Sequence, residues 1–171
     1  MAYPEQLETA RLQLHRFRPE DLAELQRVQG DPRIGEEQFP MRFRTPEMVE
    51  RFLGTALAHW ERYGFGHWLI RLDGEAIGRA GLAHADLDGR DVIEVGWFLS
   101  PDHWGRGYAT EASRAAIDAG FTHLGLPEIL AWTMPTNVPS QAVMRRLGFQ
   151  EIGPIERAGL PHVAYRVTPS G

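Results

Sequence analysis

Two closely spaced glycines, Gly105 and Gly107, lie directly before the predicted start of a helix at Tyr108. A strand-like run that ends at Leu99 precedes them, so the segment is typical of a strand-to-helix turn. Glycine lets the backbone approach a ligand closely, and the first N–H groups of a helix have no intrahelical acceptor. Together with the positive end of the helix dipole, these groups suit a phosphate or pyrophosphate. An ordinary tight turn is the alternative, because short glycine patterns are common.

One carboxylate, Glu94, lies on the strand that precedes this turn. On the predicted strand Val92–Leu99, alternate residues share a face, which places Glu94 together with Gly96 and Phe98. A carboxylate among apolar residues near a ligand site can accept a proton, directly or through water. An exposed strand glutamate without a catalytic role is the alternative. His84 competes as a base, because an imidazole titrates near neutral pH.

The composition excludes several other kinds of active site. The 171 residues include no cysteine, and all 18 basic residues are arginine. The chain therefore has no thiolate nucleophile, cysteine zinc site, Schiff-base lysine or P-loop lysine. The minimal zinc-protease and α/β-hydrolase motifs are also missing, and a dinucleotide fingerprint needs a third glycine where Thr110 stands. We expect no metal site.

Charge and hydropathy indicate which partners to expect. The formal net charge is −5 and the arginines are scattered, so we expect no nucleic-acid partner. No apolar run approaches the roughly 20 residues of a membrane span, and the first residues do not resemble a signal peptide. The absence of cysteine agrees with a reducing compartment. We therefore expect a cytoplasmic protein without membrane contact.

Hydrophobic periodicity and turn signals predict the elements that position these residues. The first half is predicted as a strand, two helices and a three-stranded antiparallel meander, over residues 11–17, 19–28, 45–64, 67–72, 75–83 and 92–99. The second half is predicted as helix, strand, helix and two closing strands, over residues 108–124, 129–133, 138–148, 149–152 and 163–167. Strand, helix and strand in succession predict a parallel crossover. The aperiodic segment 30–44 is predicted as a loop, and residues 1–171 as one domain.

Four ordered segments resemble the GNAT superfamily of N-acetyltransferases. Residues 104–109, WGRGYA, resemble its pyrophosphate-binding signature Q/R-x-x-G-x-G/A, and residues 137–149 resemble its later N-x-x-S and K-L-G-F segments. Residues 94–97, EVGW, and the opening from Leu7 to Leu14 resemble the branch that acetylates ribosomal proteins at N-terminal alanine. Trp104 departs from the consensus Gln or Arg, but that position contributes mostly backbone N–H groups.

The resemblance implies a fold, a cosubstrate and a set of contacts. The fold is mixed α/β, with a mostly antiparallel central sheet flanked by helices and a splayed parallel strand pair that holds the coenzyme. The cosubstrate is acetyl-CoA. The residues assigned to it are Phe98, Leu99, Gly105, Arg106, Gly107, Tyr108, Ala109, Thr110 and Asn137. Among them, the backbone near Leu99 would polarise the thioester carbonyl and Asn137 would bind the pantetheine arm.

The resemblance also implies direct acetyl transfer to a primary amine, without a covalent enzyme intermediate. We predict that Glu94 is the general base, with a contribution of roughly 10²- to 10⁴-fold. Ser140 is the predicted acid for the departing thiolate, and Tyr108 is the alternative. Asn137 and Ser140 also suit a plain helix start.

The acceptor amine is not identified by the sequence. A peptide N-terminus and a small-molecule amine both remain open, and we expect either to bind between the loop 30–44, the second helix and the meander. Pairing of two copies through residues 149–167 is a further open point.

A non-catalytic acyl-CoA sensor or scaffold would keep the glycine turn but need neither Glu94 nor Ser140. A phosphate site for another nucleotide is the third alternative.

Overall fold

The computed structural model describes residues 1–170, which form one eight-stranded sheet flanked by helices. The strands are β1 Gln6–Glu8, β2 Gln13–Arg16, β3 His67–Leu72, β4 Glu75–Leu87, β5 Arg90–Leu99, β6 Ile129–Thr133, β7 Gln150–Arg157 and β8 Leu160–Val167. The α-helices are α1 Leu22–Gln29, α2 Pro46–Tyr63, α3 Tyr108–Leu124 and α4 Val138–Arg146. Short 3₁₀ turns span Pro19–Asp21, Met41–Phe43 and Pro101–His103.

The sheet order is β1-β2-β3-β4-β5-β6-β8-β7, and every neighbouring pair except β5 and β6 is antiparallel. The predicted mixed fold with one parallel pair is therefore confirmed. That pair meets at a single register position, Glu94 opposite Leu130. Beyond it β6 continues along β8 as far as Thr133 opposite Val163. The C-terminal ends of β5 and β6 thus diverge and leave a gap in the sheet.

Capping residues explain where helix α2 begins and ends, and an apolar stripe explains which face of it is buried. The hydroxyl of Thr45 accepts a hydrogen bond from the backbone N–H of Met48, and Pro46 occupies the first turn, where its missing N–H costs nothing. Gly64 ends the helix with a φ of 72°, a conformation that favours glycine. The buried residues Val49, Leu53, Ala56 and Trp60 recur at helical spacing. This helix is confirmed as predicted.

Two hairpin turns set the register of the central meander. Asp73-Gly74 and Asp88-Gly89 have positive φ at both residues, the geometry of type I′ turns. Pairing begins directly beside each turn, so β4 extends to Leu87 and β5 starts at Arg90. Both strands are longer than predicted. Polar residues near the second turn obscure the alternation of apolar and polar residues by which a strand is predicted from the sequence. Strand β1 is not predicted by the sequence, since its three residues are too few to show a period.

The sheet separates two hydrophobic layers. One face packs on α3 and α4 and includes Val95, Leu99, Ala112, Ile117, Ile129 and Met144. The other face packs on α1 and α2, around Leu25, Val49, Leu53 and Leu69. Cross-strand partners share a face, so Glu94, Gly96 and Phe98 lie on the α1–α2 side with Arg79 of β4. None of the helices within residues 1–170 combines the length and apolar character needed to cross a bilayer.

Candidate active site

The glycine turn at the start of α3 presents unpaired backbone donors. Gly105 and Gly107 have φ values of 71° and 82°, which residues with a side chain rarely adopt. Gly107 is the N-cap, and its carbonyl accepts from the N–H of Glu111. Within residues 1–170, the N–H groups of Tyr108, Ala109 and Thr110 donate to no backbone carbonyl. These three groups point out of the first helical turn, as an anion site requires.

A buried hydroxyl adds a further donor to this turn. The Oγ1 atom of Thr110 is sealed from solvent and has no hydrogen-bond partner in the described part of the chain. A buried polar atom is normally satisfied, so an unpartnered hydroxyl beside free N–H groups indicates a place for a ligand oxygen. The turn therefore fits the pyrophosphate of a coenzyme. Arg106, also assigned to the coenzyme, is exposed.

Arg11 holds this turn from the far end of the chain. Its Nη1 donates to the carbonyl of Arg106 at 2.9 Å, and its guanidinium lies 4.4 Å from the centre of the Tyr108 ring. Its backbone N–H and Nε both donate to the Glu111 carboxylate, at 2.8 and 2.7 Å. Thr9 donates to the same carboxylate at 2.6 Å. No role for Thr9 or Arg11 could be predicted from the sequence, although both belong to the opening segment that carries the family resemblance.

The gap between β5 and β6 lies next to this turn. Glu94 is the position where the two strands meet, so Phe98 and Leu99 lie past the last paired residue. Past Glu94 this edge of β5 is not paired with β6, so an extended ligand can lie along it. The indole Nε1 of Trp104 donates to the carbonyl of Leu99 at 2.9 Å, and the residue as a whole is 44% exposed. The residue that departs from the consensus thus ties the end of the strand to the glycine turn.

Glu94 is half-buried at the base of this gap. Burial raises the pKa of its carboxyl group to about 7, although the positive charges of Arg157 and Arg79 act in the opposite direction. Its carboxylate makes no hydrogen bond or ion pair with other residues in the range 1–170. A carboxyl group with a pKa near neutrality can both accept and release a proton at physiological pH. Glu94 is therefore not fully exposed on its strand, as the alternative without a catalytic role would require.

Aromatic rings and a structured loop cover the face on which Glu94 lies. Phe39 of the loop 30–44 packs against Phe98, with ring centres 5.3 Å apart. The loop is organised by Arg44, which is buried and donates to the carbonyls of Phe39, Asp31 and Ile34. All three guanidinium nitrogens of Arg44 are therefore satisfied inside the loop. This covered face is the region in which an acceptor was expected.

Asn137 and Ser140 lie at the start of α4. The Oδ1 of Asn137 accepts from the backbone N–H of Ser140 at 3.2 Å, which is an N-cap, and its Nδ2 donates to the carbonyl of Gln38 at 3.2 Å. The helix-start interpretation of Asn137 is thus confirmed, and the residue also fastens the loop 30–44. The side chain of Ser140 is half-buried and hydrogen-bonds to no residue in the part of the chain described. Their roles toward the coenzyme stay predictions.

The alternative base His84 lies apart from Glu94. Its cross-strand partner is Ile93, whereas the partner of Glu94 is Ala83, so the two side chains are on opposite faces of the sheet. Nδ1 of His84 is 2.9 Å from the carboxylate of Asp91. The aromatic residues Trp60, Phe65 and Trp68 form a buried core cluster around Tyr3.

Two other features of the described residues offer no competing centre. A cavity of about 410 Å³ lies between β1, β2 and α2, lined by residues such as His15, Arg18 and Leu57. Neither Glu94 nor the glycine turn lines this cavity, so we do not assign the chemistry to it. In residues 1–170 no group of three or more His, Asp or Glu side chains is arranged to hold a metal ion.

Comparison with known proteins places these features in a family. Residues 11–150 match the acetyltransferase (GNAT) domain. The chain is 32% identical to an uncharacterised N-acetyltransferase, p20, of Bacillus licheniformis, over 87% of this chain and 84% of that protein. An acetyltransferase from Agrobacterium tumefaciens str. C58 has a similar structure, with a TM-score of 0.82 and 30% identity over 99% of this chain and 96% of that one.

RimJ of Mycobacterium smegmatis, solved in complex with CoA-disulfide, shares the fold, with a TM-score of 0.79 and 23% identity over 97% of this chain and 88% of that one. The matched stretches cover 61% and 38% of the lengths of the Bacillus subtilis proteins YkkB and YnaD. The domain match extends from the opening segment, through the glycine turn, to the start of β7. The chain therefore belongs to the GNAT acetyltransferase family.

Proposed function

We propose that this protein transfers the acetyl group of acetyl-CoA directly to a primary amine, with both substrates bound at once. The observation that carries the proposal is the glycine turn after β5, which has three free backbone N–H groups and the unpartnered hydroxyl of Thr110 at the start of α3. The GNAT family uses acetyl-CoA, and a neighbour in this fold was solved with a CoA derivative.

The coenzyme would lie along the gap in the sheet. Its pyrophosphate would accept hydrogen bonds from the N–H groups of residues 105–110, with Gly105 and Gly107 leaving room for the close approach. Its pantetheine arm would run along the free edge of β5 near Phe98 and Leu99. Asn137 has one amide hydrogen left after its bond to Gln38, and this hydrogen is available to the arm.

The acetyl transfer requires a proton to leave the amine and another to reach sulfur. The amine nitrogen would attack the thioester carbonyl carbon, and Glu94 would take the amine proton, directly or through water. Collapse of the tetrahedral adduct would break the carbon–sulfur bond and release the thiolate, which Ser140 would protonate. Tyr108 is the alternative acid. Backbone N–H groups near Leu99 would stabilise the oxyanion.

The first test is calorimetric titration with acetyl-CoA. The wild type and a Gly74→Trp control should bind, because Gly74 has a similar φ of 84° in a hairpin turn away from the site. Gly107→Trp should not bind, since the bulky side chain would occupy the turn. Failure of the wild type to bind any acyl-CoA would refute the proposal.

The second test separates an enzyme from a sensor. Glu94→Gln should bind acetyl-CoA as well as the wild type does and acetylate amines at least ~100-fold more slowly, because the general base is lost. The amine panel would include amino acids, polyamines and peptides. Binding of acetyl-CoA without turnover of any of them would favour a non-catalytic acyl-CoA-binding module.

A further inference from the structure

A buried arginine lies on the acceptor side of the sheet, beside the proposed base. Arg79 of β4 is the cross-strand partner of Phe98 and shares a face with Glu94. Its Nη1 would lie 4.0 Å from a methyl group placed on Gly96, and the His67 ring would lie 3.3 Å from the same methyl. Glycine at position 96 therefore leaves room for both side chains next to Glu94.

Most of the hydrogen-bonding capacity of Arg79 is unused. The side chain keeps only 9% of its surface exposed and lies 4.2 Å above the ring of Phe52. Its Nε donates to Oε1 of Gln29, but Nη1 and Nη2 donate to no acceptor in residues 1–170. Neither Nη atom is among the sealed, unpartnered atoms of the protein, so both reach solvent-accessible space. Arg44, by contrast, uses all three nitrogens within its own loop.

The charge of Arg79 is retained in spite of burial. Burial lowers the pKa of Arg79 to about 10, which leaves the guanidinium protonated at neutral pH. A buried cation is costly unless an anion or several acceptors compensate for its lost hydration. The positive charge does act on Glu94, yet the two groups form no ion pair within 4.0 Å. An anion from outside the protein would complete the site.

Two positive charges, those of Arg79 and Arg157, act on Glu94. Arg157 also acts on Glu94; it lies 4.7 Å from the ring centre of Trp132 and donates to the carbonyl of Asp86. His67 contributes no charge, because burial lowers its pKa well below the ordinary value. Both arginines therefore contribute a positive field at Glu94. Such a field attracts an anionic acceptor and repels a polyamine.

We propose that the acceptor is a small amine that carries an anionic group, and that Arg79 binds this group through Nη1 and Nη2 while the amine nitrogen faces Glu94. The guanidinium fork suits carboxylate, phosphate and phosphonate alike, because each offers two oxygens for a bidentate contact. This inference rests on the proposed acetyl transfer. It concerns recognition of the acceptor and adds no chemical step.

The test compares matched acceptors in the presence of acetyl-CoA. The first set pairs each L-amino acid with its carboxamide, the second pairs O-phosphoethanolamine with ethanolamine, and the third pairs Glu-Ala-amide with Gln-Ala-amide. Rates are corrected for the fraction of free amine at the assay pH. The wild type should prefer the anionic member of at least one pair by about 10- to 100-fold in kcat/KM, the range expected for a charge-assisted hydrogen-bonded contact. The preferred pair identifies the source of the anion.

Variants of Arg79 then assign the preference. Arg79→Met keeps an unbranched chain over Phe52 but removes the charge, and the preference should fall to about one, mainly through loss of rate with the anionic member. Arg79→Lys should restore part of it. Arg90→Met is the matched control, since Arg90 is exposed at the start of β5 and should leave the preference unchanged.

The outcomes separate the two proposals. Acetylation of amines without preference for the anionic members, or an equal loss of rate with both members in Arg79→Met, would overturn the inference and leave the acetyltransferase intact. Binding of acetyl-CoA without acetylation of any acceptor would instead overturn the proposed function. If Arg79→Met does not fold, the wild-type preference and the Arg79→Lys result decide the question.

Discussion

The carboxylate of Glu111, in the first turn of α3, accepts hydrogen bonds from both the backbone N–H and the Nε of Arg11, at 2.8 and 2.7 Å. The two residues are 100 positions apart in the sequence. Because the same guanidinium donates to the carbonyl of Arg106, the N-terminal segment holds the glycine turn in its shape. A methyl group on Gly107 would lie 3.3 Å from Arg11, so that contact is also tight.

Replacement of Arg11 by Met should therefore loosen the glycine turn. We expect weaker binding of acetyl-CoA by calorimetry and a loss of about 1–2 kcal/mol in the free energy of unfolding, because the side chain is 45% exposed and its charged hydrogen bonds are partly screened. Arg90→Met serves as the control for loss of a surface charge. Unchanged acetyl-CoA affinity in Arg11→Met would show that the turn keeps its shape without this contact.

The rate of acetyl transfer should depend on the protonation of Glu94. Burial raises the pKa of this carboxyl group to about 7, so the basic form becomes dominant only above neutrality. We expect kcat/KM, corrected for the free amine, to rise with pH and level off above an apparent pKa near 7. In Glu94→Gln the residual rate should lack this rise. A wild-type profile that is flat between pH 5 and 8 would exclude Glu94 as the base.

The same pKa shift should appear in the stability of the protein. A carboxyl group whose folded pKa lies above its unfolded value favours folding at low pH, and this contribution is lost as the pH rises from about 4.5 to about 7. Glu94→Gln has no such charge to bury. Thermal unfolding should therefore show Glu94→Gln gaining stability over the wild type as the pH is raised through this window. A difference that does not change with pH would contradict the shift.

Asn137 has a structural role that can be separated from its predicted contact with the coenzyme. Asn137→Ala should lose about 1 kcal/mol of stability with the N-cap of α4, and the bond to Gln38 as well. Thr45→Ala is the matched control, because it removes the N-cap of α2 and lies outside the proposed coenzyme site. We expect a lower melting temperature in both variants but weaker acetyl-CoA binding only in Asn137→Ala. Equal affinities would leave Asn137 with its structural role alone.

Much of the fold could be predicted because its signals are local. Helix α3 and the strands β3 and β6 begin and end where periodicity and flanking turn residues indicate. The parallel pairing of β5 and β6 follows from their order along the chain with a helix between them. Strand β1 could not be predicted, since its three residues become a strand only through pairing with β2.

The features of the candidate site also divide into those that the sequence predicts and those that only the tertiary structure reveals. The glycine turn, the cap at Asn137 and the position of Glu94 beside apolar residues could all be read from the sequence, because each depends on neighbours within a few residues. The roles inferred for Arg11 and Arg79 could not. Arg11 meets Glu111 only after the sheet and α3 are assembled, and Arg79 becomes an unsatisfied, buried cation only once Gln29 and Phe52 pack over β4. Local chemistry thus determined where the glycine turn and Glu94 lie, and packing between distant segments decided which side chains hold that turn and which lie on the same face as Glu94.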